Sequence, residues 1–241
     1  MKAQGPRKVR LLKIIAAETI RTLRRYYSGR ELSKILGLSE SVLSRYLSLD
    51  VVPSLEKSLE ILEKVEKESL LEKVLARLIR VDKYGIVNIY SIAYDMSIVS
   101  LAAFKAYKCF SDREIDVVLT AAANGVPLAT LVAYLLDARL AVAKKERDPS
   151  VLEMLEETSR TSSPPFITSL FLPKFALRKN DNVLIVDDLL QSGRTLIALQ
   201  NFCRKSQANI IGVYALIALG TSWQYALSPN IPAVIVLSKA A

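Results

Sequence analysis

The 241-residue sequence contains no histidine and only two cysteines, Cys109 and Cys203. The absence of histidine excludes the commonest catalytic triad, so any general acid or base has to be a carboxylate, lysine, tyrosine or cysteine. The two cysteines lie far apart in the sequence and provide neither a disulfide framework nor a CxxC metal motif. We therefore expect reduced, buried thiols and no metal site built from protein residues.

The sequence also lacks a long apolar run. No stretch reaches the roughly 18 residues that span a bilayer, and Lys13 and Glu18 interrupt the apolar segment behind the basic N-terminus, which lacks an export-signal pattern. With 51% hydrophobic and 24% charged residues, the composition is that of a chain that buries a substantial core. We expect a cytoplasmic protein of two structural units without membrane contacts.

Positive charge is concentrated at the start of the chain. Residues 1–50 contain eleven Lys or Arg against four Asp or Glu, so +7 of the total net charge of +9 lies there. Such a basic segment favours a polyanionic partner, because neutralising phosphates releases their condensed counterions. A solvated basic surface is the alternative.

Apolar spacing predicts that the first third is helical and that the rest alternates between strands and helices. We predict helices over residues 9–27, 30–36, 39–47, 55–80, 92–107, 126–136 and 195–205, and strands over 86–90, 116–121, 140–143, 182–186, 210–218 and 233–237. The apolar stripe of the 55–80 helix suggests a dimerising linker. The Thr/Ser/Pro run from Thr158 to Pro165 has no periodicity and is interpreted as a loop.

These patterns predict an α/β protein with an additional all-α N-terminal domain. Apolar, β-branched strands that alternate with helices are typical of a parallel sheet covered on both faces. We divide the chain into residues 1–54, a helix-turn-helix domain, residues 55–82, a linker and dimerisation helix, and residues 83–241, the α/β domain.

Residues 29–48 have the spacing of a helix-turn-helix, with Gly37 at the sharp turn. Inward positions are predicted for Leu32, Leu36, Leu38, Leu43 and Tyr46. The exposed face of the second helix carries side chains suited to a major groove, namely Ser39, Glu40, Ser41, Ser44 and Arg45. Contacts to the flanking DNA backbone are predicted for Arg30 and for Arg21, Arg24, Arg25 and Lys34.

The Leu-Ser-Arg-Tyr-Leu segment at 43–47, followed by Pro53-Ser54, resembles the Cro/repressor type of helix-turn-helix. Ser33 occupies the position of the small residue that most members carry in the first helix. The resemblance implies a double-stranded DNA operator as partner. An ordinary helical hairpin within a bundle is the alternative.

The most specific motif is Val-Leu-Ile-Val-Asp-Asp-Leu-Leu-Gln-Ser-Gly-Arg-Thr at residues 183–195. An apolar strand delivers Asp187 and Asp188 to its carboxyl end, and a short Ser/Gly/Thr loop then opens a helix. Ligands bind at this edge of parallel sheets, and free N–H groups at a helix N-terminus bind phosphate. Because carboxylates accept hydrogen bonds from vicinal hydroxyls, the motif predicts a sugar phosphate site.

Three alternatives compete with this interpretation. A Walker B pair is excluded because the sequence has no GxxxxGK[ST] loop. The first strand of a phosphorylatable receiver domain is excluded because too little chain follows residue 188. The third alternative, that the two acids merely cap the next helix, stays open.

The same thirteen residues resemble the phosphoribosyl pyrophosphate (PRPP) signature of type I phosphoribosyltransferases, and the likeness covers residues 83–238. The resemblance implies that Asp187 and Asp188 contact the ribose. It implies that the 5′-phosphate is held by the loop residues Gln191, Ser192, Gly193, Arg194 and Thr195. It assigns the pyrophosphate to the loop residues Ala122, Ala123, Asn124 and Gly125 and to the cations Lys144 and Lys145, with Arg147 close by.

Further expectations come with this resemblance. Magnesium (Mg2+) is implied as the companion of PRPP, not by a cluster of protein ligands. Residues 158–168 fall where the family has a mobile loop that closes over the site. Arg194 stands where the family usually has a second glycine, so its side chain either adds a cation to the phosphate loop or crowds it, if the loop needs a positive φ there. On composition alone, Lys144 and Lys145 are more typical of solvated surface lysines.

A helix-turn-helix joined to such a domain resembles the purine repressors of Gram-positive bacteria and, more closely in layout, archaeal regulators with an orotate-phosphoribosyltransferase-like domain. The resemblance implies a homodimeric regulator that senses PRPP or a nucleotide. The alternative is an enzyme that transfers ribose phosphate to a nucleobase, with a pocket among Phe166, Phe171, Tyr214, Trp223 and Tyr225. We assign no catalytic residue. A PRPP-binding RNA attenuator is disfavoured because it would lack the helix-turn-helix.

Overall fold

The computed structural model describes residues 6–80, 87–162 and 165–240. The helical first part contains α1 (Pro6–Leu23), α2 (Gly29–Leu36), α3 (Glu40–Leu47), α4 (Leu55–Lys67), α5 (Leu70–Leu78), α6 (Tyr90–Ala93) and α7 (Met96–Phe110). The second part contains β1 (Val117–Ala121), α8 (Gly125–Leu136), β2 (Arg139–Ala143), β3 (Met154–Ser162), β4 (Pro165–Pro173), β5 (Asn182–Leu190), α9 (Arg194–Lys205), β6 (Asn209–Leu219), α10 (Ser222–Ala226) and β7 (Ala233–Lys239). None of the helices in the described ranges is both long and apolar enough to cross a membrane.

Helices α2 and α3 occupy the segment for which a helix-turn-helix is predicted. Ser28 and Glu31 make a reciprocal capping box at the start of α2. Gly37 ends α2 with a φ of 61°, in the left-handed region that glycine adopts without strain. The predicted inward leucines Leu32, Leu36, Leu38 and Leu43 are buried, whereas Tyr46 is half-buried.

The predicted single helix over residues 55–80 is wrong, because it is two helices. The first helix, α4, ends at Lys67, and Ser69 adopts a φ of 50° before α5 begins. The apolar stripe of both helices is buried in the core that α1 and α7 also line, with Leu62, Val74 and Leu75 at 1% exposure or less. The stripe is therefore covered within the chain and does not support dimerisation through this segment.

The parallel sheet has the strand order β2-β1-β5-β6-β7. Alternate residues of β5 face different cores: Leu184 and Val186 join the core shared with the helical part, while Val183 and Ile185 join the core that contains α9 residues. This covering of both faces explains the almost unbroken apolar run in the strand. The predicted α/β fold class and parallel sheet are confirmed.

The predicted loop from residue 158 onward is also wrong, since its described residues belong to an antiparallel hairpin of β3 and β4. Thr158 Oγ1 lies 2.9 Å from Ser169 Oγ across the hairpin. Glu157 fastens the hairpin to α9 through an ion pair with Lys205 at 2.6 Å and a hydrogen bond from Asn201 Nδ2 at 2.7 Å. The loop prediction relied on the absence of apolar periodicity, whereas polar contacts between the strands and to a distant helix hold this hairpin in place.

The predicted strand over 86–90 is not found. Residue 86 lies outside the described residues, Val87 belongs to no named strand, and Tyr90 begins α6. Helix α7, which follows, joins the helical part to the sheet: Lys105 pairs with Glu72 of α5 at 2.6 Å, and Tyr214 Oη of β6 donates to Ala102 O at 2.7 Å. The helical head therefore packs on the α/β part through α7, and the domain boundaries stay predictions.

Candidate functional site

The candidate ligand site lies where β1 and β5 end side by side. The two strands are parallel neighbours, with Val117 opposite Val183 and Leu119 opposite Ile185. This register brings Thr120, near the carboxyl end of β1, to the level of the acids that follow Ile185. Two segments that are far apart in the sequence thus meet at the carboxyl edge of the sheet, where ligands of such sheets bind.

Asp187 and Asp188 lie within β5, which continues past them to Leu190. They are only 5% and 9% exposed, and the amide of Asp188 donates to Asp187 Oδ1 at 3.1 Å. Burial raises the pKa of Asp187 well above its usual value, and the neighbouring charge of Asp188 raises it further. Burial also raises the pKa of Asp188. Buried carboxyl groups with raised pKa values are typical of binding and catalytic sites.

The two acids do not cap the helix that follows. The N-cap of α9 is Gly193, which has no side chain to accept a hydrogen bond, and the first turn of α9 contains no acid. The open alternative from the sequence is therefore excluded. The first N–H groups of α9 are free of a capping side chain, as a phosphate-binding helix end requires.

Gly193 and Arg194 have different roles in the phosphate loop. Gly193 is buried with a φ of 76°, and a methyl group on it would overlap Ala226 Cβ and lie 3.2 Å from Trp223 Cα. Arg194 is the first residue of α9, is not among the residues with positive φ, and its Nε donates to Ser192 Oγ at 3.1 Å. The interpretation that Arg194 crowds the loop is thus removed, because glycine supplies the positive φ.

The remaining phosphate-loop residues border the same helix end. Gln191 and Ser192 are exposed, and Thr195 is half-buried in the first turn of α9. Sequence reasoning missed Gln200, a buried residue of α9 whose Nε2 donates to Ala226 O at 2.7 Å and whose Oε1 accepts from Ser228 N at 2.9 Å. Gln200 thereby holds α10 against Gly193. In the sequence, the only sign of this role is that Gln200 places an amide on a helix face whose other residues, Leu196, Leu199 and Cys203, are apolar.

The predicted pyrophosphate loop folds back onto the acids. Ala122 N donates to Ala143 O at 2.8 Å, Ala123 is exposed, Asn124 is half-buried, and Gly125 begins α8. A methyl group on Gly125 would lie 2.5 Å from Thr120 Oγ1, 3.0 Å from Asp187 Oδ1 and 3.6 Å from Asp188 Oδ1. Only glycine lets the loop approach the acids this closely.

The predicted basic pair follows β2 but its two members differ. Lys144 Nζ pairs with Asp148 at 3.3 Å, and the Lys144 backbone bonds to Phe171 of β4. Lys145 is exposed and has no charged partner within the described residues. The Arg147 guanidinium lies 5.5 Å from the ring centroid of Phe171. Lys145 is therefore the more available cation for an anionic ligand.

Within the described ranges, no group of three or more His, Cys, Asp or Glu side chains is placed to hold a metal ion. Two adjacent carboxyl groups fit a magnesium ion only in the manner usual for nucleotide sites, in which phosphates of the ligand and water supply the other oxygens. The site therefore fits magnesium as part of a phosphate complex.

The predicted DNA-reading face is exposed on α3. Glu40, Ser41, Ser44 and Arg45 are all exposed. Ser39 is the N-cap of α3 and accepts from Val42 N at 3.3 Å, so its hydroxyl has a structural role as well.

Several of the cations that are predicted to contact the DNA backbone pair with other groups of this chain. Arg30 faces Glu40 at 3.9 Å, and the Arg30 side chain is 94% exposed. Arg21 pairs with Glu18, Arg24 donates to Tyr27 O, and Arg25 pairs with Asp95 at the start of α7. Of the predicted cations of this head, Arg30, Lys34 and Arg45 project most freely.

The proposed nucleobase pocket is not assembled as one cluster. Tyr214 is fully buried, and its hydroxyl is engaged with Ala102 O of α7. Trp223 is buried against Gly193, whereas Tyr225 is 91% exposed. The side chain of Phe166 lies outside the described residues. Of these aromatic side chains, Trp223 belongs to a residue that lies against Gly193 of the phosphate loop.

Comparisons with known proteins agree with this geometry. The chain is 31% identical over 108 residues to the purine biosynthesis transcriptional repressor PurR of Bacillus subtilis, covering 45% of this chain and 38% of that protein. It is 28% identical over 127 residues to xanthine phosphoribosyltransferase of Lactobacillus helveticus, covering 48% and 63%. The chain thus spans less than two thirds of the length of these relatives.

Among solved structures, adenine phosphoribosyltransferase of Rhodothermus marinus superposes with a TM-score of 0.63 at 21% identity, covering 71% of this chain and 99% of that one. This likeness concerns the fold. The model of the phosphoribosyl transferase domain matches residues 91–230, which is more than half of the chain and includes both glycine loops and the carboxyl pair. The chain therefore belongs to the phosphoribosyl transferase domain family.

Proposed function

We propose that this chain is a DNA-binding transcriptional regulator of purine biosynthesis genes whose phosphoribosyl transferase domain binds PRPP or a nucleotide. The observation that carries the proposal is the presence, in one chain, of an exposed helix-turn-helix face and of a buried carboxyl pair between two glycine loops. Similarity to a transcriptional repressor of purine biosynthesis supports the regulatory interpretation.

In this proposal the ligand is recognised at three places. The carboxyl groups of Asp187 and Asp188 accept hydrogen bonds from the ribose hydroxyls, which offsets the cost of burying them. Residues 191–195 hold the 5′-phosphate with the N–H groups at the start of α9 and the Arg194 guanidinium. Residues 122–125, with Lys144 and Lys145, hold the pyrophosphate, and magnesium bound to that pyrophosphate would neutralise part of its charge.

The DNA is recognised by α3. Ser39, Glu40, Ser41, Ser44 and Arg45 face the base edges, while Arg30 contacts phosphate. A homodimer would present two such heads to a two-fold symmetric operator. Because most of the α4–α5 stripe is buried within the chain, we place the dimer contact on another surface.

Helix α7 offers a route by which ligand binding alters the head. Helix α8 begins at Gly125 of the pyrophosphate loop and packs along α7. At the other end of this connection, Asp95 at the start of α7 pairs with Arg25, which follows α1 in the chain. A ligand that favours one position of α8 would therefore favour one position of the reading head.

The first experiment is calorimetric titration of the full chain with PRPP and magnesium, repeated with ribose 5-phosphate, GMP and AMP. We expect binding of PRPP or of one nucleotide in the micromolar range and no consumption of the ligand. Failure of all four ligands to bind would overturn the sensor function.

Two variants test the division of labour. Asp187→Asn combined with Asp188→Asn should abolish ligand binding and retain binding to a DNA duplex selected from a random-sequence pool. Arg45→Ala should weaken DNA binding about tenfold and leave ligand affinity unchanged. Arg178→Ala removes one exposed charge from the α/β part and serves as the control. Loss of both activities in either functional variant would contradict the proposal.

A nucleobase phosphoribosyltransferase is the second candidate function. The similarity to a xanthine phosphoribosyltransferase and the aromatic residue Trp223, which lies against Gly193 of the phosphate loop, favour it. The test is incubation with PRPP, magnesium and adenine, guanine, hypoxanthine or xanthine, followed by chromatography. Formation of a nucleotide at many turnovers per chain would establish an enzyme.

A further inference from the structure

The hydroxyl of Thr120 is an unusual group in this fold. It lies near the end of β1, is fully buried, and has no hydrogen-bond partner among the described residues. The described residues contain three other buried side-chain atoms in this condition, on Thr19, Tyr27 and Ser206. Thr120 is the one of the four that touches the candidate ligand site. A buried hydroxyl without a partner lowers the stability of the free protein.

The position of this hydroxyl relates it to the carboxyl pair. A methyl group on Gly125 would meet three oxygen atoms: Thr120 Oγ1 at 2.5 Å, Asp187 Oδ1 at 3.0 Å and Asp188 Oδ1 at 3.6 Å. Thr120 and both acids therefore converge beneath the same backbone atom of the pyrophosphate loop. The glycine keeps open the small space into which all three groups point.

We propose that Thr120 is a positioning residue of the ligand site, whose hydroxyl donates a hydrogen bond to the Asp187 carboxylate once the ligand is bound. The inference rests on the proposed PRPP or nucleotide site. In the free protein the donor is unpaired. When the ribose hydroxyls occupy the outer lone pairs of the acids, the Thr120 hydroxyl orients the inner oxygen of Asp187 and gains the partner that it lacks.

A packing role and a ligand-linked role make opposite predictions for two conservative variants. Thr120→Val keeps the volume and removes the hydroxyl. Since it removes an unsatisfied buried donor, the free variant should unfold at the same urea concentration as the wild type or a higher one. Its affinity for PRPP with magnesium should nevertheless fall about tenfold.

Thr120→Ser is the matched control, because it keeps the hydroxyl and removes a methyl group. It should lower the stability of the free protein, through the cavity that it leaves, and retain PRPP affinity within about threefold of the wild type. Thr120→Val should thus lose affinity without losing stability, and Thr120→Ser should lose stability without losing affinity, a pattern that a merely structural threonine would not produce.

The experiment is urea unfolding of the free proteins together with calorimetric titration of wild type, Thr120→Val and Thr120→Ser with PRPP and magnesium, and with the best-bound nucleotide. Unchanged affinity of Thr120→Val, or equal loss of affinity in both variants, would overturn the role of the hydroxyl while the proposed function stands. Wild-type protein that binds none of these ligands would overturn the proposed function and this inference together.

Discussion

Carboxyl groups behave in opposite ways in the helical head and in the α/β part. In the head, hydrogen bonds from Ser28 lower the pKa of Glu31, and hydrogen bonds from Lys57 and Lys64 lower the pKa of Glu60 to about 2. At the end of β5, burial raises the pKa values of both Asp187 and Asp188. The acids of the head stabilise the folded chain, whereas the buried pair destabilises it in the absence of a ligand. Natural folds tolerate such a cost at functional sites, which agrees with the ligand site that we propose there.

Two of the left-handed glycines, Gly193 in the phosphate loop and Gly37 in the head, extend this contrast, and Gly193 gives the largest expected effect. Gly193→Ala forces a side chain into the left-handed region and against Ala226 and Trp223, which are fixed parts of α10. We expect a loss of about 2–5 kcal/mol in the free energy of unfolding and loss of phosphate binding. Urea unfolding and calorimetric titration with PRPP measure the two effects.

Gly37→Ala is the matched variant in the head. Its new methyl group would meet only Lys64 Nζ, at 2.7 Å, which is the end of a flexible side chain that can move. The expected cost is about 1–2 kcal/mol, from the backbone strain alone, and PRPP affinity should be unchanged. We therefore expect the turn at Gly193 to tolerate a methyl group less well than the turn at Gly37. Equal losses of stability and affinity in the two variants would contradict this expectation.

The pH dependence of stability should also distinguish the buried carboxyl pair from the acids of the head. Because the pKa of Asp187 is raised in the folded state, its stabilising contribution is fully present below the unfolded value of 3.8 and is lost as the pH rises through the folded value. Asp187→Asn abolishes this titration and keeps an oxygen for the Asp188 amide. We expect the free variant to be more stable than the wild type at neutral pH and its stability to vary less with pH.

Urea unfolding without ligand between pH 4 and pH 8 measures this effect, and Asp112→Asn, which replaces an exposed acid, is the control. A variant that unfolds more easily than the wild type at neutral pH would show that the Asp187 charge is compensated in the free protein. Asp187 would then stabilise the free protein, as the acids of the head do.

The sequence predicts best those parts that depend on local chain geometry. Gly37 and Gly193 mark turns that need a positive φ, and the strand leading to Asp187 is apolar because both of its faces are covered. The break at Ser69 has no glycine or proline to announce it. It follows from packing of α4 and α5 into one core with α1 and α7.

Contacts between distant segments account for the other errors. Glu157 fixes the β3–β4 hairpin through Lys205 and Asn201, so the order of the hairpin cannot be read from its own segment. The ion pair between Arg25 and Asp95 likewise joins two segments that lie far apart in the sequence. The sequence assigns Thr120 no separate role for the same reason. Its proximity to Asp187 exists only once β1 and β5 lie side by side.

The smallest expected effect comes from Glu60 in the head, and it has the opposite sign to that of Asp187. Glu60 accepts from Lys57 at 2.7 Å and from Lys64 at 2.8 Å on the surface of α4. Because these bonds lower its pKa to about 2, its contribution to stability is present above the unfolded value of 4.5 and is lost as the pH falls toward 2. Glu60→Gln should therefore lower stability slightly at pH 7, and the two proteins should converge at low pH.

The effect stays small because the pair is exposed and Lys64 keeps its second partner, Leu36 O at 2.9 Å. Raising the salt concentration should shrink it further, since exposed ion pairs are screened. Glu63→Gln, at an exposed position of the same helix without an ion pair in the described residues, is the control. If Glu60→Gln and Asp187→Asn shifted the pH dependence in the same direction, the difference between an acid that stabilises the fold and one kept for a ligand would be refuted.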